Sequence, residues 1–387
     1  MADEQVYGFF IPTVSLMGIG AHKTLGDQIK TLGGTKPFLV ADKGVTAAGL
    51  TEQIVNLIKK DTGLDIVLFD EAIPNPTDNN VAEGLAKYKE NGCDMIITLG
   101  GGSVHDCGKG VGIVATNGKT IHAYEGVDQS TENMPPFIAI NTTAGTGSEM
   151  TRFCIITDTS RKVKMAIVDW RTTPTIAIND PLLMVGMPPA LTASTGMDAL
   201  THSIEAYVST IATPITDTCA LKSIELISQY LRKAVANGED LEARDKMAYA
   251  EYLAGMAFNN ASLGHVHAMA HQLGGFYDLP HGVCNAILLP HVSRYNLIAR
   301  LERFADVAAT MGENIEGLST RDAAEKALSA IQTLAKDVHI PANLTELGVK
   351  KEDLTIMAEN AQKDACGLTN PRRPTLDDVI AIYTAAL

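Results

Sequence analysis

The sequence predicts an α/β domain with a mostly parallel sheet, followed by an all-α domain. Short apolar runs alternate with amphipathic stretches through the first half, and a 3.6-residue apolar periodicity takes over in the second. Length is the third observation. A chain of 387 residues exceeds the ~250–300 at which single cores stop growing, so two domains are expected.

In order along the chain, the alternation predicts strands over residues 37–41, 65–69 and 95–99, each followed by a helix, over 49–60, 79–90 and 104–115. Strand-like runs follow at 137–140, 153–157 and 175–178 without strong helices between them. Past Pro188-Pro189 the chain turns Ala-, Leu- and Met-rich, punctuated by Gly274-Gly275, Pro280 and Pro341. The boundary is placed near Gly186, giving domains of 1–185 and 186–387, with the active site expected in the cleft between them.

Composition excludes several classes. Hydrophobic residues make up 45% and charged residues 20%, an ordinary globular balance with no low-complexity tract. A formal net charge of −14 repels phosphate backbones and anionic lipid, which argues against nucleic acid or membrane as a partner. The start, Met1-Ala2-Asp3-Glu4-Gln5, has neither a basic nor an apolar leader region, and no apolar run approaches the ~20 residues that span a bilayer, so a cytoplasmic protein is expected. The six cysteines (Cys93, Cys107, Cys154, Cys219, Cys284, Cys366) form no Cys-x-x-Cys pair, which suits free thiols and leaves His and carboxylates as candidate metal ligands.

The strand ending at Leu99 runs into Gly100-Gly101-Gly102-Ser103 and then a helix bearing Asp106 and Lys109. Glycines at such a turn leave backbone N–H groups bare beside the positive end of a helix dipole, an arrangement suited to a pyrophosphate. It is not the G-x-G-x-x-G fingerprint, and no acid follows about 20 residues later as that motif requires. The first strand, Phe38-Leu39-Val40-Ala41, ends instead in Asp42, placed to hydrogen-bond a ribose hydroxyl and repel a 2′-phosphate, which points to NAD over NADP; acids also occur at strand ends merely as helix caps. A second loop, Asn141-Thr142-Thr143-Ala144-Gly145-Thr146-Gly147-Ser148-Glu149, either lines the other side of a dinucleotide or caps a helix through Thr146 or Ser148.

Of ten histidines, five fall between His265 and His291. Asp198 and His202 are four apart in one predicted helix, and His267 and His271 four apart in another, so each pair shares a helix face. His265 lies roughly 200° round from His267 and is left out of the site. Gly274-Gly275 is expected to end the second helix, and a return through Asp278-Leu279-Pro280 would bring His281 beside His267. One carboxylate with three imidazoles suits Fe(II), Zn(II), Mn(II) or Co(II). Spacing leaves open whether His271 is a ligand, an acid/base or a residue supporting the ligands.

With Gly100-Gly101-Gly102-Ser103, Thr142-Thr143-Ala144-Gly145-Thr146, Asn75-Pro76-Thr77, the stretch from Thr195 to His202, Gly255-Met256-Ala257-Phe258-Asn259-Asn260 and the stretch from His267 to Asn285, the chain resembles the iron-containing (group III) alcohol dehydrogenases over nearly its whole length. The resemblance implies a dinucleotide-binding α/β domain and a helical metal-binding domain. It implies Fe(II) held by Asp198, His202, His267 and His281, with His271 near the substrate. For NAD it implies contacts from Asp42, Asn75, Gly101, Gly102, Ser103, Thr142, Thr143, Thr146 and Lys164. Two departures from the common pattern are Val104 where a proline is usual and Gly147 where an alanine is usual.

The expected reaction is hydride transfer between a small primary alcohol or diol and NAD, with Fe(II) as Lewis acid, His271 as proton relay, and Phe153, Phe258 and Cys366 walling an apolar pocket. A zinc-dependent glycerol or polyol dehydrogenase is the nearest alternative, disfavoured because it would need only three protein ligands. A non-redox NAD-using metalloenzyme of the dehydroquinate synthase type would need a Lys/Arg cluster that the segments around His202 and His267 lack. The apolar run Val6-Tyr7-Gly8-Phe9-Phe10-Ile11-Pro12 could pair across a two-fold axis, which suits a homo-oligomer, anywhere from a dimer to a decamer.

Overall fold

The structure, a computed structural model, describes residues 6–387. Its first half runs β1 (Val14–Met17), α1 (Leu25–Leu32), β2 (Pro37–Asp42), α2 (Lys43–Ala47), α3 (Leu50–Thr62), β3 (Val67–Ala72), α4 (Asp78–Glu90), β4 (Met95–Gly100), α5 (Gly102–Asn117), β5 (Gly126–Val127), β6 (Phe137–Asn141), β7 (Phe153–Asp158), β8 (Val163–Val168) and β9 (Ile176–Asn179). Six of these strands form one sheet in the order β1-β9-β6-β4-β2-β3, with every pairing parallel.

Period-2 alternation explains why these strands read as unbroken apolar runs. Leu39, Ile97, Leu99, Ile138, Ile140 and Ile178 point to one face, against Leu25 and Ile29 of α1 and Ile54 and Ile58 of α3. Phe38, Val40, Ile96, Phe137 and Ala139 point to the other, against Tyr88 of α4 and Cys107 and Val111 of α5. A sheet covered on both faces has no polar side to show. Each fully buried Ile, Leu or Phe contributes about 1.5–3 kcal/mol of burial, which fixes the register of every strand.

The run at 153–157 does not join this sheet. It forms β7 of a separate three-stranded sheet, order β5-β8-β7, with β7 and β8 antiparallel. A short turn suffices to join antiparallel neighbours, whereas a parallel partner needs a crossover; here Lys162 in the turn has φ 55°. The helix expected from 104 starts two residues earlier, at Gly102, and β1 has no counterpart in the expectations, being four residues between polar and glycine neighbours.

The second half is helical: α6 (Pro189–Val208), α7 (Pro214–Ala236), α8 (Leu241–Ala261), α9 (His265–Tyr277), α10 (His281–Asn296), α11 (Leu301–Thr310), α12 (Thr320–Asp337), α13 (Leu354–Ala361) and α14 (Leu376–Ala386). Gly274-Gly275 does not end α9, which continues to Tyr277. The stop falls instead at Asp278, which adopts the left-handed conformation at φ 53°, with Pro280 immediately before α10. Glycine weakens a helix by only about 1 kcal/mol, less than buried packing on either side returns.

Two compact units result. One comprises Pro12–Pro188 with Gly238–Ala248, and the other Pro189–Asn237 and Tyr249–Leu387 with residues 6–11. A single cut near 186 therefore misses two short segments that pack with the unit remote from them in sequence. Buried Arg244 is one reason: its guanidinium donates to the carbonyls of Gly238 and Met187, inside the α/β unit. At the other end, Asn259 and Asn260 bind the Phe10 carbonyl within the helical unit. No described helix is long and apolar enough to cross a membrane, and the six cysteines are buried and free.

Candidate active site

In the α/β unit, the residues singled out for a dinucleotide gather at the carboxyl end of the sheet. From β2 the chain places β3 on one side and β4 on the other, so the topological switch lies between β2 and β4. Ligands bind parallel sheets outside such a switch. Val40 pairs with Thr98 and Gly100 with Asn141, which puts Asp42, Gly100 and Asn141 in one row at the strand ends.

Gly101 and Gly102 sit against the second loop. A Cβ on Gly101 would lie 2.9 Å from the Thr143 side chain and one on Gly102 2.7 Å from that of Thr146, so only glycine permits this approach. Beneath them, Lys109 is fully buried and donates to Ser148 Oγ and to the carbonyls of Thr151 and Phe153 at 2.7–3.0 Å. Ser148 Oγ donates to Asp106 at 2.7 Å, and the Ile155 N–H binds the other oxygen of that carboxylate. Burial pushes Lys109 down and Asp106 up from their ordinary values, and the facing opposite charge works against both shifts. Asp106 and Lys109, seen in sequence only as helix residues, thus clamp the two loops together. No helix follows the second loop, so Ser148 and Thr146 are not its caps.

Thr142 is buried, with its N–H on the Gly100 carbonyl, and Ser103 lies in the first turn of α5, where backbone N–H groups have no intrahelical partner. Asp42 caps α2, its Oδ1 accepting from the Val45 N–H at 2.8 Å. Lys164 donates to Asn75 Oδ1 at 2.8 Å across 89 positions, a pairing that spacing could not reveal. The bare N–H cradle, closed by two glycines that no larger residue could replace, fits a pyrophosphate.

In the helical unit, α6, α9 and α10 pack on one another. Gly282 is what lets α10 begin so close to α6, since a Cβ there would meet the Ser194 carbonyl oxygen at 2.4 Å. His281, one residue earlier, is brought to Asp198: its Nε2 lies 3.8 Å from Asp198 Oδ1, and His267 Nε2 lies 3.8 Å from the same oxygen. Donor atoms of Asp198, His267 and His281 all fall within 4.8 Å of one another. Donors sharing one ion at about 2.1 Å each stand about 3–4 Å apart.

His202 stands beside this group. Its ring stacks between Phe258 and His267, with centroids 4.3 and 4.6 Å away. The structure therefore converges three of the four expected ligands and stacks the fourth on one of them. His271 is outside the trio, its Nδ1 2.8 Å from Asp364 Oδ2 and its ring stacked on His281 at 5.4 Å. His265 is buried elsewhere, against Gly367.

Residues not anticipated from the sequence complete the site. Glu205, one turn beyond His202 on α6, accepts from His267 Nδ1 at 2.6 Å and from the Val266 N–H at 2.7 Å. Burial raises its carboxyl to about 7, against the pull of the Val266 and Gly264 N–H groups. Asn285 presents Nδ2 to Asp198 Oδ1 at 2.6 Å and to His267 Nε2 and His281 Nε2 at 3.1 Å each. That amide nitrogen faces one carboxylate oxygen and two ring nitrogens, while its own Oδ1 is buried with no hydrogen-bond partner. Asp198 Oδ1, His267 Nε2 and His281 Nε2 are a carboxylate and two imidazoles converging closely enough to share one ion, so these residues fit a divalent metal.

Comparison with known proteins agrees. Residues 12–181 match the family described as iron-containing alcohol dehydrogenase, and residues 192–387 its C-terminal part. The chain is 53% identical to a 1,3-propanediol dehydrogenase of Klebsiella pneumoniae, covering 99% of both, and 49% identical to an NAD-dependent methanol dehydrogenase of Bacillus methanolicus, covering 98% of this chain and 99% of that one. A crystal structure of a 1,3-propanediol oxidoreductase superposes with a TM-score of 0.97 at 53% identity, covering 99% of this chain and all of that one. The chain belongs to the iron-containing alcohol dehydrogenase family. It is an alcohol dehydrogenase, an oxidoreductase acting on CH–OH groups.

Proposed function

We propose that this enzyme is an NAD-dependent, Fe(II)-using dehydrogenase of small primary alcohols or diols and their aldehydes, working in the cytoplasm as a homo-oligomer. The observation that carries the reading is the convergence of Asp198, His267 and His281, whose donor atoms all lie within 4.8 Å of one another. The relatives' names, 1,3-propanediol and methanol dehydrogenase, support a small primary alcohol, and the family name supports iron; Zn(II) is the alternative metal.

Asp198, His202, His267 and His281 would hold the metal, with Glu205 orienting His267. Asp42 would take the adenosine ribose, Gly101, Gly102 and Ser103 the pyrophosphate, and Asn75, Thr142, Thr143, Thr146 and Lys164 the rest of NAD. When bound, the metal supplies Lewis acidity at the substrate oxygen and the nicotinamide accepts or returns the hydride. His271 receives the hydroxyl proton at Nε2 during oxidation and gives it back during reduction. A second copy would pair along the outermost strand β1, where Val14 is exposed.

A steady-state screen of small alcohols and aldehydes with NAD(H), on anaerobically iron-loaded enzyme, tests the reading. Turnover of a primary alcohol or 1,3-diol is expected. Activity confined to vicinal polyols with zinc would replace it by a polyol dehydrogenase.

A further inference from the structure

Asp364 lies 93 positions from His271, in Lys363-Asp364-Ala365-Cys366, a stretch with no motif to single it out. Both its oxygens are engaged. Oδ1 accepts from the Cys366 N–H at 2.9 Å, capping the short helix Ala365–Thr369, and Oδ2 faces His271 Nδ1 at 2.8 Å. His271 is only 7% exposed, so water does not compete freely for that nitrogen. The ring is also held by its neighbours, stacked on His281 and edge-on to His267 with centroids 6.1 Å apart.

An ionised carboxylate only accepts hydrogen bonds. A ring nitrogen facing Oδ2 at this distance must therefore carry the hydrogen, which leaves Nε2 of the neutral ring as the lone pair. We propose that Asp364 is a positioning residue that fixes His271 in the Nδ1–H tautomer, so that Nε2 is the atom that receives and returns the proton. This rests on the proton-transfer role given to His271 above.

Proximity alone admits a rival. Donor atoms of His271, Asp364 and Cys366 lie within 4.8 Å of one another, as a second metal site would require. The cap and the His271 bond already account for the closeness.

The test reads the tautomer apart from turnover. Zinc-loaded, diamagnetic enzyme labelled with [15N]histidine is compared with His271→Ala, which identifies the His271 resonances. Wild type is expected to show a protonated Nδ1 and a bare Nε2. Asp364→Asn can turn its amide to donate toward Nδ1, so the hydrogen should move to Nε2, with kcat lower on the order of 10²-fold and KM and metal content little changed. Asp364→Glu, which restores a carboxylate, should recover part of the loss. A wild-type His271 carrying its hydrogen on Nε2 overturns the proposal, even if Asp364→Asn does not fold; so does an Asp364→Asn enzyme with wild-type kcat. Undiminished turnover in His271→Ala would instead remove the proton-transfer reading, while the wild-type spectrum still decides what Asp364 does to the ring.

Discussion

Glu205 accepts a hydrogen bond from His267 Nδ1 at 2.6 Å, and that bond aims the opposite ring nitrogen at Asp198 and His281. Such carboxylate partners raise the basicity of a metal-binding imidazole and fix its tautomer, and losing them typically costs about 10–100-fold in metal affinity or activity. Glu205→Gln should weaken metal binding by that amount while leaving NAD affinity intact. Chelator competition read by elemental analysis checks it; unchanged affinity would reduce Glu205 to a packing residue.

His267→Ala and His281→Ala should each lose the metal and all turnover. His202→Ala is the more informative variant, because the ring stacks on His267 outside the converging trio. If His202 is a ligand, its loss should also abolish the stabilisation that added metal gives, about 2.7 kcal/mol at 100 times Kd and read as a rise in Tm. Full metal content in His202→Ala would leave three protein ligands and remove the main argument against a zinc polyol dehydrogenase.

Asp42 ends β2 beside the glycine turn, with one oxygen committed to the cap of α2. If the other meets the ribose, Asp42→Gly should bring NADP turnover toward that of NAD, as the charge that repels a 2′-phosphate has gone. Comparing kcat/KM for the two cofactors decides it; an unchanged ratio would leave Asp42 a cap and nothing more.

Acid stability offers a test inside the α/β core. His105 is fully buried, with Nδ1 on Thr98 Oγ1 at 2.8 Å, and burial with the nearby Lys109 charge lowers its pKa from 6.5 to about 3. Between those values the unfolded chain binds a proton that the folded protein refuses. Stability from this group is complete above pH 6.5 and is lost as the pH falls, by up to about 1.4 kcal/mol per unit. His105→Gln should flatten that acid limb in urea titrations from pH 7 to 4. An equally steep decline in the variant would place the loss elsewhere.

Much of this protein was legible in its residues one element at a time. Unbroken apolar runs told of strands buried on both faces, since no solvent-facing side chain interrupted Phe38-Leu39-Val40-Ala41 or Met95 to Leu99. Asp198 and His202, like His267 and His271, announced themselves by i, i+4 spacing. Glu205 could have been found the same way, three residues beyond His202, as could Asn285, four beyond His281.

Other features had no local signal. That β7 leaves the main sheet, that α9 runs through Gly274-Gly275, and that Lys164 meets Asn75 all depend on what packs against each segment. The sequence by itself determined which side chains share a strand face or a helix face, because those periods are set by backbone geometry within a few residues. Only the tertiary structure decided which faces meet. Asp364 reaches His271, and His281 reaches Asp198, because distant helices pack closely where glycine or a short turn allows, and packing of that kind is a property of the whole core and not of any stretch of chain.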